Sequence, residues 1–306
     1  MTRVILTLIL CFSMAGSILA QRGTAAPPQG SQIEILDIAT GEVTVLKHFD
    51  FRVEAPEWSR DGKTIYFNRG GGIYKIASDG GEPVRINIEK QISCNNDHVV
   101  SPDGKTLAVS AGGDGFDSRI YVLPIDGGMP RLVTEKAPSY LHGWSPDGQT
   151  LAFAGKRETN HFDIYTVSLD GQNETRLTDV PGLDDGPEFT PDGKYIWFCS
   201  VRSGLMQLWR MKADGSQQEQ MTREEANCWF PHVSPDGKSI AYLAYNKDEV
   251  GPGDHPANKK VRLYVMPAEG GPSKLLAEIF GGQGTINVNS WSPDSKRIAY
   301  VRYDEL

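Results

Sequence analysis

The sequence predicts an all-β chain closed into a six-bladed β-propeller with four-stranded antiparallel blades. Three observations carry that expectation. A turn of the type Ser-Pro-Asp-Gly is written six times along the 306 residues. A second strand–turn–strand unit follows each of the first five turns, and the unit missing after the sixth stands at the other end of the chain. The turn Asp residues 61, 103, 147, 192, 236 and 294 are separated by 42, 44, 45, 44 and 58 residues. A β-rich period in the forties is the signature of propeller blades or a related array.

Each turn copy has its own physical logic. The six are Trp58-Ser59-Arg60-Asp61-Gly62, Val100-Ser101-Pro102-Asp103-Gly104, Trp144-Ser145-Pro146-Asp147-Gly148, Phe189-Thr190-Pro191-Asp192-Gly193, Val233-Ser234-Pro235-Asp236-Gly237 and Trp291-Ser292-Pro293-Asp294-Ser295. Ser suits the first position of a type I turn, Pro pre-sets φ at the second, Asp accepts bonds at the third, and Gly then closes a bulged hairpin. Alternating apolar residues follow, as in Leu107/Val109 and Leu151/Phe153, which is strand chemistry. Arg60 in place of Pro is tolerated by the turn. Ser295 in place of Gly costs about 1 kcal/mol if the backbone must turn left-handed there.

The second units begin at Ile73-Tyr74, Ile120-Tyr121, Ile164-Tyr165, Leu208-Trp209 and Leu263-Tyr264, each with an Asp/Gly or Glu/Gly turn. One repeat therefore holds four strands, A to D. The displaced sixth unit is Ile33 to Leu46, with its turn at Thr40-Gly41. N-terminal strands should join the C-terminal blade, and a ring closed in this way leaves no long unpaired edge.

These repeats over residues 31 to 303 resemble the WD-like propeller repeats of the TolB family. Similar repeats build the propeller of dipeptidyl-peptidase-IV-like peptidases and the oligogalacturonate lyases. The resemblance implies a periplasmic or secreted binding module, with a carbohydrate lyase or hydrolase as the alternative. Full-length TolB proteins carry an additional N-terminal α/β domain, for which this chain has no room.

The rest of the chain fits export. Residues 1–20 read as a signal peptide, with Arg3, an apolar run from Val4 to Phe12 and a cleavage end at Ser17-Ile18-Leu19-Ala20. Residues 21–30 read as a disordered leader, and 31–306 as a single propeller domain. A formal charge of −8 disfavours nucleic acid as a partner. The mature chain retains an odd three cysteines, Cys94, Cys199 and Cys228, so no disulfide framework is expected. A monomer is expected, with no transmembrane segment after cleavage. No Gly-x-Ser-x-Gly elbow, Walker loop or dinucleotide fingerprint occurs.

Function should concentrate where the A strands open onto the variable D–A and B–C loops, since loops on a rigid scaffold carry it. Three residues before each turn Ser or Thr stand Pro56, His98, His142, Pro187, Pro231 and Asn289, so blades 2, 3 and 6 replace a Pro default with polar groups. With Asn96, Asp97, Tyr140, Asp185, Trp229, His232 and Asn287 they make a candidate ligand-binding mouth for a glycan, peptide or protein. A divalent metal on His98, His142 and His232 is a second reading, although His232 lies one residue out of register. A solvated channel mouth is the third. The sequence assigns no catalytic residue.

Overall fold

The computed structural model describes residues 29–113 and 116–305, and among them every regular element is a strand. The expected signal peptide, and the expected leader up to residue 28, lie outside the described residues. Blade 1 is Glu54–Trp58, Thr64–Arg69, Gly72–Ala77 and Val84–Arg85, and blade 2 is Ser93–Val100, Thr106–Gly113, Phe116–Pro124 and Arg131–Leu132. Blade 3 is Ser139–Trp144, Thr150–Gly155, Asp163–Ser168 and Thr175–Arg176. Blade 4 is Asp184–Phe189, Tyr195–Ser200, Gln207–Lys212 and Glu219–Gln220, and blade 5 is Ala226–Val233, Ser239–Asn246, Ala257–Pro267 and Lys274–Gly282.

Blade 6 closes the ring from both ends of the chain, as the displaced repeat predicts. Ser31–Asp37 pairs antiparallel with Arg297–Tyr303 on one side and with Val43–Phe49 on the other. The inner strand of this blade is reduced to one bridge, Trp291 to Ile298. Its polar residues explain why: the Asn287 side chain accepts from the Gly284 N–H and Asn289 from the Trp291 N–H, so side chains take the place of a ladder. Gln29 and Gly30 are held against Asp304 by two hydrogen bonds.

The repeated turn is built as its chemistry dictates. In blade 3, Ser145 Oγ donates to Asp147 Oδ1 at 2.6 Å and accepts from the Thr150 N–H at 2.9 Å, while Asp147 Oδ1 also accepts from the Gln149 N–H. Gly148 follows at φ 73°, where a side chain would be strained. Ser295 adopts the same left-handed backbone at φ 59°. Its hydroxyl compensates by accepting the N–H of Asp236 in the neighbouring turn.

The core lies between blades. Ile33 of the closing strand packs with Phe49, Trp58, Phe67, Val301 and Tyr303 at the seam with blade 1, whereas Leu36 joins the cluster of Ile240, Tyr242 and Met266 in blade 5. One strand thus seals two interfaces. Cys94, Cys199 and Cys228 are buried free thiols. Register shifts in the inner strands fall at Glu54/Glu57, Cys94/His98, Leu141/Gly143, Asp185/Glu188 and Trp229/His232. These bulges surround the Pro-or-polar position noted in the sequence, where a missing N–H costs no ladder bond.

Candidate functional site

The bulges decide which side chains enter the channel. Ala55, Gly186 and Phe230 occupy equivalent positions before Pro, and all three have left-handed backbone, with φ of 56°, 62° and 58°. An extra residue in the strand breaks the simple alternation. In blade 5 this brings Phe230 to the cavity, while Trp229 is fully buried beside it.

A cavity of about 450 Å³ opens on the variable-loop face. It brings together Asn96, Asp97, Tyr140, His142, Asp185 and Asn287 of the sequence-derived set. The other four are elsewhere. His98 is fully buried away from the cavity, and burial pushes its imidazole down to about 4 against the opposing pull of the Tyr66 backbone. Trp229 does not reach the cavity surface and serves as a support, its ring 4.2 Å from that of His255.

His232 and Asn289 lie toward the other end of the channel. His232 Nδ1 meets Glu188 Oε2 at 2.8 Å and its Nε2 meets the Ile286 carbonyl. Asn289 donates to Glu188 Oε1 at 2.6 Å and to the Val233 carbonyl. Glu188 also accepts the Val233 N–H, and Glu57 at the equivalent position accepts the Val100 N–H, so this register stitches neighbouring blades together. Burial raises the Glu57 carboxyl to about 7, against the opposing pull of Arg60. The three histidines of the metal reading are therefore not gathered, and among the described residues no group of three or more His, Cys, Asp or Glu is placed to hold a metal ion.

Charge in the upper cavity is organised around His142. Its Nε2 lies 3.1 Å from Asp185 Oδ1, which also accepts the Gly186 N–H at 2.7 Å. Burial alone would push this imidazole down, but Asp97, the bond to Asp185 and the nearby Asn287 carbonyl outweigh it and raise it to about 9. Burial raises Asp97 to about 6, with His142 opposing and Asp185 adding to the rise. Asp185 stays below the usual range because the bond and charge of His142 exceed its own burial cost. An ion pair and a second carboxylate consequently share one buried wall.

Aromatic rings line the same cavity. Tyr140 and Phe162 have ring centroids 5.7 Å apart, and Phe230 lies under His142 at 6.4 Å. His255 and Gln283 complete the rim, from the long B–C loop of blade 5 and the D–A loop that follows it. The length of those loops was visible in the sequence; their fold over the channel was not. Phe162 and Phe230 carried no sequence signal that separated them from core residues.

Comparison with known proteins gives a consistent answer. The TolB β-propeller domain family matches residues 116–255. An uncharacterized protein of Agrobacterium fabrum is 43% identical over 274 residues, covering 89% of this chain and 92% of that protein. A solved structure of a candidate TolB from Agrobacterium tumefaciens superposes with a TM-score of 0.87 at 43% identity, covering 91% of this chain and 99% of that one. This chain belongs to the TolB-like β-propeller family. The Tol-Pal system protein TolB of Francisella tularensis is 29% identical over 211 residues, which is 66% of this chain. Those residues are only 48% of that TolB, so the chain spans about half the length of this relative. A TolB-like propeller is an interaction scaffold in general.

Proposed function

We propose that the chain is an exported binding module that captures a peptide segment of a protein partner in the loop-face cavity. One observation carries this reading: the variable face concentrates a buried ion pair, a second carboxylate, free amide groups and three aromatic rings around a single cavity of about 450 Å³. Cavities of that size with an apolar wall and a few fixed polar groups suit small ligands and side-chain-sized portions of larger ones. The assignment of a relative to the Tol-Pal system supports a protein partner outside the cytoplasm, and the apolar leader Val4 to Phe12 supports export. A glycan would also use the paired rings of Tyr140 and Phe162. A carbohydrate lyase or hydrolase built on three channel histidines finds no support in where His98 and His232 lie.

Site-specific photo-crosslinking tests the proposal. A crosslinker at Phe162 on the loop face should trap a discrete partner, and one at Gln149 in the blade 3 turn should not. Trapping from Gln149 alone would move the site to the turn face. Sequencing of the mature protein should give a start near Gln21; an intact Met1 in a cytoplasmic fraction would refute export.

A further inference from the structure

The loop-face cavity has an unequal balance of charge and a set of unused polar atoms, and together they narrow what it can accept. Asp97 and Asp185 both line it, His142 supplies one opposing charge, and no Lys or Arg is among the lining residues. The wall therefore carries one negative charge in excess when both carboxylates are ionised. Gln283 Oε1 is a buried acceptor with no partner among the described residues. Buried polar atoms left without partners are uncommon, and each needs an explanation such as a ligand.

These atoms sit on fixed supports. The Gln283 carbonyl accepts from Tyr303 Oη at 2.6 Å and from Arg52, while the Gln283 amide nitrogen reaches Asn96 Oδ1 at 3.3 Å. Asp97 Oδ2 is held by Asn95 at 2.9 Å, and Asp97 Oδ1 has no hydrogen bond among the described residues. Asn96 and Asn287 each keep a side-chain nitrogen free of intramolecular bonds among the described residues. The cavity thus offers a carboxylate and an amide oxygen to a donor cation, and amide N–H groups to an acceptor a short distance away. Tyr140, Phe162 and Phe230 add ring faces, which attract cations further.

We propose that the cavity selects a protonated amine, and that the segment it takes is the free amino terminus of an extended peptide. This deepens the binding reading above and rests on it. An amino terminus presents an ammonium and, one peptide unit on, a carbonyl oxygen, matching the acceptor and donor sets in turn. A lysine side chain presents the ammonium but no nearby acceptor. The cavity also suits a chain end, because His142, stacked on Phe230, lines both this cavity and a second one, lined by Trp144, Glu188 and Asn289 toward the other end of the channel, and so stands between them. A loop would have to enter and leave by the same mouth.

The test uses the full chain and one probe in two forms, Phe-Ala amide with a free amino group and the same dipeptide N-acetylated. Titration followed by NMR or calorimetry should show the free amine binding, and acetylation should weaken it by at least about tenfold. Asp97→Asn should weaken the free amine similarly with little effect on the acetylated form, and Gln283→Leu should do the same if Asp97→Asn proves unstable. Equal affinity for the two forms overturns the proposal. Absence of binding to either form at millimolar concentration also overturns it; a partner crosslinked at Phe162 would then leave the binding site standing without amine selection. Loss of both results removes the two readings together.

Discussion

Ile33 and Leu36 allow the closure of the ring to be tested at its seams. Both are fully buried on one strand, yet Ile33 packs into the blade 1 cluster and Leu36 into that of blade 5. Truncating a buried Ile or Leu to Ala costs about 2–5 kcal/mol, from lost transfer energy plus the cavity left behind. Sites that share no partners add within about 0.5 kcal/mol, so Ile33→Ala with Leu36→Ala should cost roughly 4–10 kcal/mol. That is comparable to the entire stability of an ordinary domain, roughly 5–15 kcal/mol. Urea unfolding at constant m should show two clear single-mutant losses and a double mutant at the edge of folding. Val45→Ala, at 51% exposure on the outer strand, is the control and should change little. If either core substitution costs under about 1 kcal/mol, the strand does not seal that interface in solution and the reasoning fails.

Other expectations follow from the same structure. Removing residues 1–28 should leave the melting temperature unchanged, whereas removal through Phe49 should give insoluble protein, because it strips the partner from Arg297–Tyr303. Equal melting of the two truncations would refute closure. Ser295→Gly relieves the left-handed strain but loses the bond to Asp236, so it should fall within about 0.5 kcal/mol of the parent; Ser295→Ala keeps the strain and should cost about 1 kcal/mol. NMR should show His142 titrating near 9, with a lower midpoint in Asp97→Asn. A raised histidine stabilises fully below its unfolded value of 6.5 and loses that contribution as pH climbs through 9. The raised Asp97 is already destabilising above about 6, having lost its advantage between there and 3.8. Of these two groups only His142 titrates between pH 6.5 and 9, so the melting temperature should decline across that window, and a rise there would contradict the charge assignment.

Much of this architecture was legible because a repeat states its own geometry. The Ser, Asp and Gly of each turn are required by bonds and a backbone angle within six residues, and the displaced unit at Ile33 to Leu46 announces its partner by being absent elsewhere. The cavity was only partly legible. Asn96, Asp97, Tyr140, His142, Asp185 and Asn287 were reachable because they depart from the repeat near the strand starts. Trp229 and Phe230 were exchanged in role by a bulge whose register no single sequence reveals. His232 was drawn away by Glu188, a residue in the next blade and 44 positions distant. His255 and Gln283 depend on how two long loops lean over the channel, which is set by contacts with Trp229 and Tyr303.

The bond from the Asp304 N–H to the Gly30 carbonyl, 3.0 Å long, has a consequence for how freely this fold could be rewired. Where the two ends of a ring already touch, a short linker could join them, and new ends could be opened at any exposed connection. The Gly251–Asp254 stretch in blade 5 is one candidate for such circular permutation, since it lies between strands and its residues are exposed. The place where the chain is cut would then shift while every blade kept its neighbours. A permuted protein that folds would carry its termini beside the cavity, where a fused peptide could be delivered to the site by its own tether.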